Sequence, residues 1–346
     1  MSERLAFLDQ GVAVQRGVIT LDGRPERLLV WRDDDDPRLR LGARLTARVA
    51  SVEPALATAF LDLGDGHQAI LPFKSDAKPV RGEAVQIEIR TEPRRGKLAV
   101  ARRLSGGDEL TAGGEPAGDL AEVLKRLART VSVVGGRAAR EAADEAEATA
   151  LDALHPLPGG GMLAIEPTRA LTAIDVDLGE RKGSDAKRVT RMANLAALQE
   201  GARLLRLKSI GGLVVVDLVG RGHDGAALLT AARSAFGPDN PGVAIGPVGR
   251  FGLMEISLPR RARPIADLLC DPDGALSART LAERLLRRLQ DEAAAQPGAR
   301  LVGVAAPEVA QAAQRFAGAL TGQIGARFAI EGRADLPRQV FQVHAR

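Results

Sequence analysis

At 346 residues, the chain is long enough to fold into two or three domains, each with its own hydrophobic core. Its hydrophobic content of 45% and charged content of 27% are ordinary for a soluble globular protein. The formal charge of +4 indicates no particular partner, and a single cysteine, Cys270, excludes intrachain disulfides and cysteine-based zinc clusters.

The N-terminal residues predict a β-hairpin. Two apolar runs flank Asp22-Gly23, a pair that favours a tight turn between strands, and we assign this hairpin to a first unit, residues 1–38. The N-terminus has no apolar signal core, and no run approaches the roughly eighteen apolar residues of a membrane span. We therefore expect a cytoplasmic protein with no membrane partner.

Residues 39–104 carry five short apolar runs separated by turn signals. Five strands in so short a stretch predict a small Greek-key barrel of the OB type, a fold that often binds single-stranded nucleic acid. The predicted strands are Ala43–Val52, Leu56–Leu63, Gln68–Phe73, Ala84–Arg90 and Leu98–Leu104.

Two features of the predicted barrel suit RNA. The turn before its last strand presents three cations, which we expect to contact phosphates: Arg94, Arg95 and Lys97. Phe60 shares a strand face with Thr58 and Asp62, so its ring is predicted to be partly exposed and able to stack on a base.

Residues 105–157 predict a linker followed by helices. Gly, Ala, Glu and Pro dominate residues 105–120, and helices are predicted over 119–129 and Arg137–Ala153, with a short strand at Val131–Val134 between them. No pattern in this segment indicates chemistry.

Residues 158–265 predict an α/β unit in which two strands end in aspartate, Asp175 and Asp217. A helix from Ser184, its predicted N-cap, to Leu207 joins the two strands. Strand–helix–strand connections place the strands parallel, so both carboxylates leave the same edge of the sheet, about 5–7 Å apart if the strands are neighbours. The other predicted elements are strands at Met162–Ile165, Val243–Gly246 and Leu253–Ser257, and a helix at Asp224–Phe236.

Residues 266–346 follow the order helix, strand, helix, strand, strand, which predicts a small α+β domain. These elements are predicted at Ser277–Ala295, Leu301–Val304, a helix opening at Pro307, Ala326–Ile330 and Gln339–His344. The predicted fold class is thus a multidomain α/β protein: a five-stranded barrel inserted near the N-terminus, an α/β unit with parallel strands, and the small C-terminal domain.

Asp175, Asp217 and Asp177 are the candidate catalytic carboxylates and metal ligands. Asp175 and Asp177 are two positions apart in one strand and share a face. Mg²⁺ takes oxygen ligands and keeps several waters, so two or three carboxylates and a substrate phosphate complete its coordination. Such an ion activates water and offsets the charge that develops when a phosphodiester is cleaved. The pattern therefore predicts a Mg²⁺ site that handles phosphates.

Three ordered motifs resemble the ribonuclease E/G family of bacterial endoribonucleases: Ala170–Asp177, Arg206–Asp217 and Arg250–Ile256. Asn194, in the intervening helix, also fits the family. The resemblance implies Mg²⁺-dependent hydrolysis of single-stranded RNA that leaves 5′-phosphate and 3′-hydroxyl ends. It implies that Asp175 and Asp217 bind the metal.

A weaker resemblance covers the remaining segments. The barrel looks like the S1 domain of the family, residues 1–38 look like part of its RNase H-like domain, and the last segment looks like its small C-terminal domain. The resemblance implies that Phe60 and Lys97 hold RNA, and we expect Arg250, in the third motif, to contact it as well.

The chain departs from the family pattern at four places. Asp177 stands where the family has an asparagine that orients a ligand aspartate, and Ile70 stands where it usually has a stacking phenylalanine. Cys270 retains one sulfur donor of the family's Cys-x-x-Cys zinc link, so we expect no zinc link, although a homodimer remains compatible. Residues 105–157 are shorter than the family's segment, so we expect no pocket that senses a 5′-monophosphate.

Three hypotheses remain. The first is a shortened endoribonuclease, the second is a non-catalytic RNA-binding protein of the same fold, and the third is a DNA nuclease. Both strand-end aspartates favour an enzyme, because a binding module needs no carboxylate pair that repels phosphate. The residues Asp177 and Ile70 favour the binding protein, and the S1-like barrel favours RNA over DNA.

Overall fold

The computed structural model describes residues 3–104, 118–181, 185–222 and 224–346. Within these ranges the chain forms three sheets and one closed barrel. Most of the predicted linker, residues 105–117, and the predicted helix cap Ser184 lie outside the described residues.

A three-stranded antiparallel sheet opens the chain, with strands in the order β1-β2-β3. They are β1 (Arg4–Gln10), β2 (Val14–Leu21) and β3 (Arg24–Arg32). The turn predicted at Asp22-Gly23 is confirmed, and both residues have the positive φ, 50° and 78°, that a two-residue hairpin turn requires. The first strand was not predicted, because a short apolar run does not distinguish strand from helix.

The predicted five-stranded barrel is confirmed and is closed. Its strands are β4 (Arg44–Glu53), β5 (Thr58–Gly64), β6 (His67–Pro72), β7 (Ala84–Thr91) and β8 (Ala99–Arg103), in the order β4-β5-β6-β8-β7. Alternate residues point inward, and Val49, Leu61 and Ile87 are among the buried side chains that fill the interior.

Helices α1 (Leu120–Ala128) and α2 (Gly136–Leu151) follow, close to the two predicted helices, and both pack on the N-terminal sheet. Leu120 and Leu124 of α1 are fully buried against Ala6 and Ile19. The predicted strand at Val131–Val134 is reduced to one bridge, between Val134 and Phe7.

A six-stranded sheet forms the centre of the molecule, in the order β13-β14-β12-β11-β10-β9. Its strands are β9 (Leu154–Pro156), β10 (Met162–Pro167), β11 (Thr172–Asp177), β12 (Gly212–Asp217), β13 (Ala244–Val248) and β14 (Leu253–Leu258). The parallel pairing of β11 with β12 is confirmed, but every other neighbouring pair is antiparallel. The prediction of parallel strands therefore holds for one pair only. Neighbouring strands joined by a short connection, such as β10 and β11, must run antiparallel, because a parallel pair needs a long crossover connection.

Two helices, α3 (Ala186–Leu207) and α4 (Gly225–Ala235), pack against the central sheet. The side chain of Asp185 caps α3 by accepting hydrogen bonds from the backbone amides of Lys187 and Arg188. The covered face of the sheet carries the buried side chains of Ile174, Val176, Val214, Val216, Met254 and Ile256. The opposite face is exposed along β11, β12 and β14.

The C-terminal segment contains the five predicted elements in the predicted order, with two further short helices that were not predicted. It contains α5 (Ile265–Leu269), α6 (Ala278–Ala295), β15 (Leu301–Ala305), α7 (Pro307–Gln314), α8 (Ala317–Ile324), β16 (Phe328–Gly332) and β17 (Phe341–Ala345). The central strand β15 runs parallel to β16 and antiparallel to β17. Among the described helices, none combines the length and the apolar character needed to cross a bilayer.

Candidate active site

Asp175 and Asp217 are direct partners across the parallel pair β11 and β12. Adjacent strands lie about 4.8 Å apart, so the two carboxylates are close neighbours. The residues on either side of Asp175, and the residue before Asp217, are buried, whereas both aspartates are exposed. Strand alternation therefore places both carboxylates on the open face of the central sheet.

Three further carboxylates share this face. Asp177 lies two positions beyond Asp175 on β11, Glu166 lies on β10 opposite Ala173, and Glu255 lies on β14 opposite Val215. All three are exposed. Within the described ranges, none of the five carboxylates comes within 4.0 Å of a Lys or Arg side-chain nitrogen. These five carboxylates therefore give the open face a negative charge that no salt bridge within the described ranges neutralises.

Sequence reasoning did not assign a role to Glu166 or Glu255. Glu255 alternates with buried residues in Leu253–Leu258, which is the signal that it lies on the exposed face. Its position beside Val215 depends on the antiparallel register of β14 with β12. That register joins residues about forty positions apart, so it could not be predicted from local pattern.

Asp177 differs from the other carboxylates in its contacts. Its Oδ1 accepts a hydrogen bond of 2.9 Å from the backbone amide of Gly179, just beyond the strand end. The same residue faces Met162 across β10. Successive residues on one face of a strand are about 6.6 Å apart. Asp177 is therefore farther from Asp217 than Asp175 is, by one such interval along β11.

The donor set of the open face fits a hard cation that retains water. Asp175 and Asp217 offer four oxygens at adjacent positions, and Mg²⁺ is commonly held by one or two carboxylates together with waters and substrate phosphate. In the described part of the chain, no group of three or more acidic, histidine or cysteine side chains converges as a metal cage. Asp175 and Asp217 would thus hold a cation that takes part of its coordination from water.

Asn194 positions the chain immediately after Asp217. Its side-chain amide donates a 3.0 Å hydrogen bond to the carbonyl of Val219, and its carbonyl oxygen accepts a 3.1 Å bond from the amide of Val219. Asn194 is 1% exposed, on the face of α3 that packs toward the sheet. The chain also approaches α3 closely at Gly220, which has a φ of +91°. A Cβ atom on this residue would lie 2.5 Å from Cγ2 of Thr190 on α3. Asn194 and Gly220 thus tie α3 to the chain that follows Asp217.

Arg250 lies in a turn beside the aspartates. The turn, residues 249–252, joins β13 to β14, and the first residue of β14, Leu253, is the partner of Asp217. Both Arg250 and Phe251 are exposed, and the guanidinium carbon of Arg250 lies 4.6 Å from the centre of the Phe251 ring. The structure therefore brings Arg250 to the same end of the sheet as the carboxylate pair.

Phe60 lies on the outer surface of the closed barrel. Its strand neighbours Ala59 and Leu61 are fully buried inside the barrel, while Phe60 itself is half-buried and faces outward. It is flanked across the strands by Ser51 and Ile70. The ring is therefore partly exposed, as the alternation of the strand predicted, and its contact with RNA stays a prediction.

The three cations of the barrel turn have different environments. Lys97 is exposed, and backbone bonds between Arg94 and Lys97 close the predicted turn. Burial, followed by the charge of the neighbouring Arg260, lowers the pKa of Arg94. Arg95 donates hydrogen bonds of 2.7 and 3.0 Å to the carbonyls of Cys270 and Asp271, which join the barrel to the segment after the central sheet.

The segment that builds this site is similar to known proteins. A model of the ribonuclease E/G family matches residues 122–261 of the chain. The resemblance to the ribonuclease E/G family is confirmed. Over 147 residues, or 40% of this chain, it is 33% identical to ribonuclease E of Haemophilus influenzae and 32% identical to ribonuclease E of Escherichia coli. A chloroplastic ribonuclease E/G-like protein of Arabidopsis thaliana is 34% identical over 122 residues, or 34% of the chain.

The ribonuclease E/G match covers only part of each protein. The aligned region makes up 16% of the Haemophilus enzyme, 14% of the Escherichia enzyme and 12% of the Arabidopsis protein. The family segment of this chain nevertheless contains Asp175, Asp217, Asn194 and the turn at 249–252, whereas the barrel residues precede it. The matched segment therefore coincides with the part of the structure that builds the carboxylate pair.

Proposed function

We propose that the protein is a Mg²⁺-dependent endoribonuclease that hydrolyses phosphodiester bonds in single-stranded RNA. The observation that carries this proposal is the adjacency of Asp175 and Asp217, exposed and without a cationic partner among the described residues, inside the segment that matches the ribonuclease E/G family. A bare carboxylate pair would repel a phosphate, so phosphate binding here requires a cation.

Asp175 and Asp217 would hold the metal on the open sheet face. When bound, Mg²⁺ supplies an activated water and neutralises charge on the phosphate undergoing cleavage, which leaves 5′-phosphate and 3′-hydroxyl ends. Asn194 keeps the strand end that bears Asp217 in place through the two bonds to Val219. Asp177, with one oxygen engaged by Gly179, adds a third carboxylate, which would either bind the metal directly or weaken the approach of a phosphate.

The closed barrel would act as an S1-type RNA-binding domain. Phe60 supplies an outward ring for stacking, and Arg94, Arg95 and Lys97 supply positive charge along the turn. The side chain of Arg95 bonds to two carbonyls and pairs with the carboxylate of Asp267 at 3.4 Å. It remains 43% exposed, so part of its guanidinium group is still open to a phosphate. Arg250 adds a cation beside the carboxylate pair.

The same proposal covers regulation and assembly. We expect no 5′-end sensing and no zinc link through Cys270, and we expect a cytoplasmic protein in which a homodimer is compatible with the site. The discriminating measurement is the rate of cleavage of one RNA carrying either a 5′-triphosphate or a 5′-monophosphate. Equal rates support the absence of a sensor, whereas a large preference for the monophosphate would refute it.

The central test uses a labelled single-stranded A/U-rich RNA and the same sequence as DNA, each with Mg²⁺ and with a chelator. Wild type is compared with Asp175→Asn and Asp217→Asn. Cleavage of RNA that requires the metal and is lost in both variants supports the proposal. Cleavage of the DNA at a similar rate would favour a DNA nuclease instead.

A non-catalytic RNA-binding protein is the alternative function. Two residues favour it: Asp177 in place of the family's amide, and Ile70 beside Phe60 in place of a second stacking ring. This alternative predicts that RNA binds without cleavage under every metal condition and that Asp175→Asn and Asp217→Asn leave the affinity unaltered. The enzyme proposal predicts that both substitutions change the metal dependence of binding.

A further inference from the structure

Phe251 is the one exposed aromatic side chain among the described residues. The chain has 8 phenylalanines, 1 tryptophan and no tyrosine, and the other rings are buried or half-buried. The ring of Phe251 is 74% exposed. Single exposed apolar residues are common on protein surfaces, but this ring is also held in an ordered turn and lies beside a cation.

The turn that carries Phe251 is held by three backbone hydrogen bonds. The amide of Gly249 donates to the carbonyl of Leu253 at 2.8 Å, and the amide of Gly252 donates to the carbonyl of Gly249 at 3.0 Å. The amide of Leu218, the residue after Asp217, donates to the carbonyl of Gly252 at 3.2 Å. Gly252 has a φ of +83°, which a residue with a side chain rarely adopts. The ring is therefore presented from an ordered turn tied to the strand of Asp217.

Phe251 lies within reach of a nucleotide bound at the carboxylate pair. Asp217 and Leu253 are cross-strand partners, about 5 Å apart, and Phe251 precedes Leu253 by two residues. The Cα atoms of Phe251 and Asp217 are thus at most about 12 Å apart. A phosphate held at Asp175 and Asp217 would place an adjacent base near this ring.

Arg250 gives the turn the second half of a nucleotide-binding surface. Its guanidinium lies over one face of the Phe251 ring at 4.6 Å, and it forms no salt bridge within the described ranges. The other ring face is free to accept a planar partner, and a cation stacked on the first face is typical of sites that bind nucleic acid. A neutral apolar partner would make no use of this charge.

We propose that Phe251 is a stacking platform for one nucleobase next to the scissile phosphate, with Arg250 contacting the neighbouring backbone. The assignment rests on the proposed function, since it places the RNA on the open sheet face. Phe251 would then determine which nucleotide of the RNA the protein binds beside the carboxylate pair. Base stacking on a single aromatic ring corresponds to about 5- to 150-fold in the dissociation constant.

The test measures binding rather than cleavage. A short fluorescent single-stranded RNA is titrated in Ca²⁺, an oxygen-seeking cation that can occupy the carboxylate pair in place of Mg²⁺, and a gel verifies that the RNA stays intact. The proteins are wild type, Phe251→Ala, Phe251→Trp and the control Leu154→Ala, which removes an apolar residue that is 60% exposed on β9. We expect Phe251→Ala to weaken binding at least 5-fold, Phe251→Trp to retain it, and Leu154→Ala to have no effect. Unaltered binding by Phe251→Ala would overturn the proposal.

A second measurement locates the base. The RNA is prepared with one abasic nucleotide at each position in turn, so that the phosphate charge is kept and only a base is lost. Wild type should lose affinity when one particular base is missing, and Phe251→Ala should be insensitive at that position. If both proteins respond identically at every position, Phe251 does not stack on a base.

These results separate the two proposals. Loss of stacking in Phe251→Ala together with no metal-dependent cleavage by wild type would leave the platform intact and refute the nuclease. Cleavage that requires Asp175 and Asp217 with no effect of Phe251→Ala on affinity or on the abasic profile would leave the nuclease intact and refute the platform.

Discussion

At the scale of single residues, the buried side chain of Asn194 holds the backbone of Val219, two residues after Asp217. Replacing Asn194 by Leu keeps most of the volume but removes both bonds to Val219. Because a buried polar group left without its partner costs about 1–3 kcal/mol, we expect Asn194→Leu to lower the free energy of unfolding by that amount. Urea denaturation measures the change. We also expect weaker cleavage, since the end of the Asp217 strand is released from α3.

A matched control for Asn194 lies on the same helix. Met192 is 54% exposed, and Met192→Ala should alter the free energy of unfolding by less than about 0.5 kcal/mol. An Asn194→Leu variant with wild-type stability and wild-type cleavage would show that the bonds to Val219 do not position the site.

His155 and Lys208 are buried neighbours that share one hydrogen-bond acceptor. The imidazole donates a 3.1 Å bond from Nε2 to the carbonyl of Asp152, and Lys208 bonds through Nζ to the same carbonyl and to that of Ala150 at 2.9 Å. Lys208 thereby caps the C-terminal carbonyls of α2. Burial lowers the pKa of Lys208 to about 8. Burial, followed by the charge of Lys208, lowers the pKa of His155 to about 4.

The depressed pKa of His155 predicts an acid-sensitive fold. The unfolded chain takes up a proton near pH 6.5 and the folded chain only near pH 4, so stability is complete above about 6.5 and is lost as the pH falls toward 4. The loss attributable to this group is up to about 3 kcal/mol. Urea denaturation of wild type and His155→Gln at pH 7 and 4.5 tests it.

We expect the acid-induced loss to be smaller in His155→Gln, because glutamine can donate to Asp152 but does not titrate. His344→Gln, at an exposed position, should behave as wild type. Equal acid sensitivity in His155→Gln and wild type would assign the loss to the carboxylates instead.

At the scale of elements, the barrel turn at residues 94–97 presents positive charge and also contacts the segment after the central sheet. Lys97 is exposed, whereas Arg95 bonds to two carbonyls of the segment after the central sheet. Each phosphate contact on a single strand contributes about 0.7 to the slope of log affinity against log salt. We expect Lys97→Ala to reduce that slope by this amount and to leave the protein's hydrogen exchange unchanged.

Arg95→Ala should change both readouts. We expect a smaller salt slope and, in addition, faster amide exchange in residues 91–97 and 267–271, because the bonds that join the two segments are lost. Binding by fluorescence anisotropy at several salt concentrations and exchange by mass spectrometry measure the two effects. Wild-type exchange in Arg95→Ala would mean that these carbonyl bonds do not hold the barrel in place.

At the scale of the whole molecule, Arg32 and Glu283 join the two ends of the chain. Arg32, on β3, is bonded at 2.5 Å to Glu283 of α6, at 3.0 Å to Thr280 and at 2.6 Å to the carbonyl of Leu268. Both side chains of the ion pair are buried, and burial raises the pKa of Glu283. The N-terminal sheet and the C-terminal segment therefore share this buried ion pair, in addition to the buried pair of Asp9 on β1 with Arg287 on α6.

Removing one partner of this pair should destabilise the whole fold. Arg32→Met leaves a buried carboxylate without its main partner, which costs about 3–5 kcal/mol. The double variant Arg32→Met/Glu283→Leu should recover most of that loss, because no charge remains to be compensated. Chemical denaturation measures both. Arg288→Ala, which removes an exposed ion pair with Glu292, is the control and should cost less than about 1 kcal/mol.

The sequence by itself determined the local elements and the chemical type of the site. Alternating apolar runs and turn residues such as Asp22-Gly23 predicted the barrel strands and the first hairpin, because a single strand or turn depends on neighbours in the chain. The aspartates at the ends of two strands joined by a helix predicted their adjacency, because crossover connections have one hand.

Only the tertiary structure decided which residues share the open sheet face. The antiparallel neighbours of β11 and β12 bring Glu166 and Glu255 beside the aspartates, and the turn before β14 brings Phe251 there. The contact of Arg95 with the carbonyls of Cys270 and Asp271 likewise spans about 175 residues. Sheet order, register and contacts between domains depend on pairings of residues that are distant in the sequence. These pairings are selected by the burial of one sheet face against α3 and α4, and no local pattern encodes them.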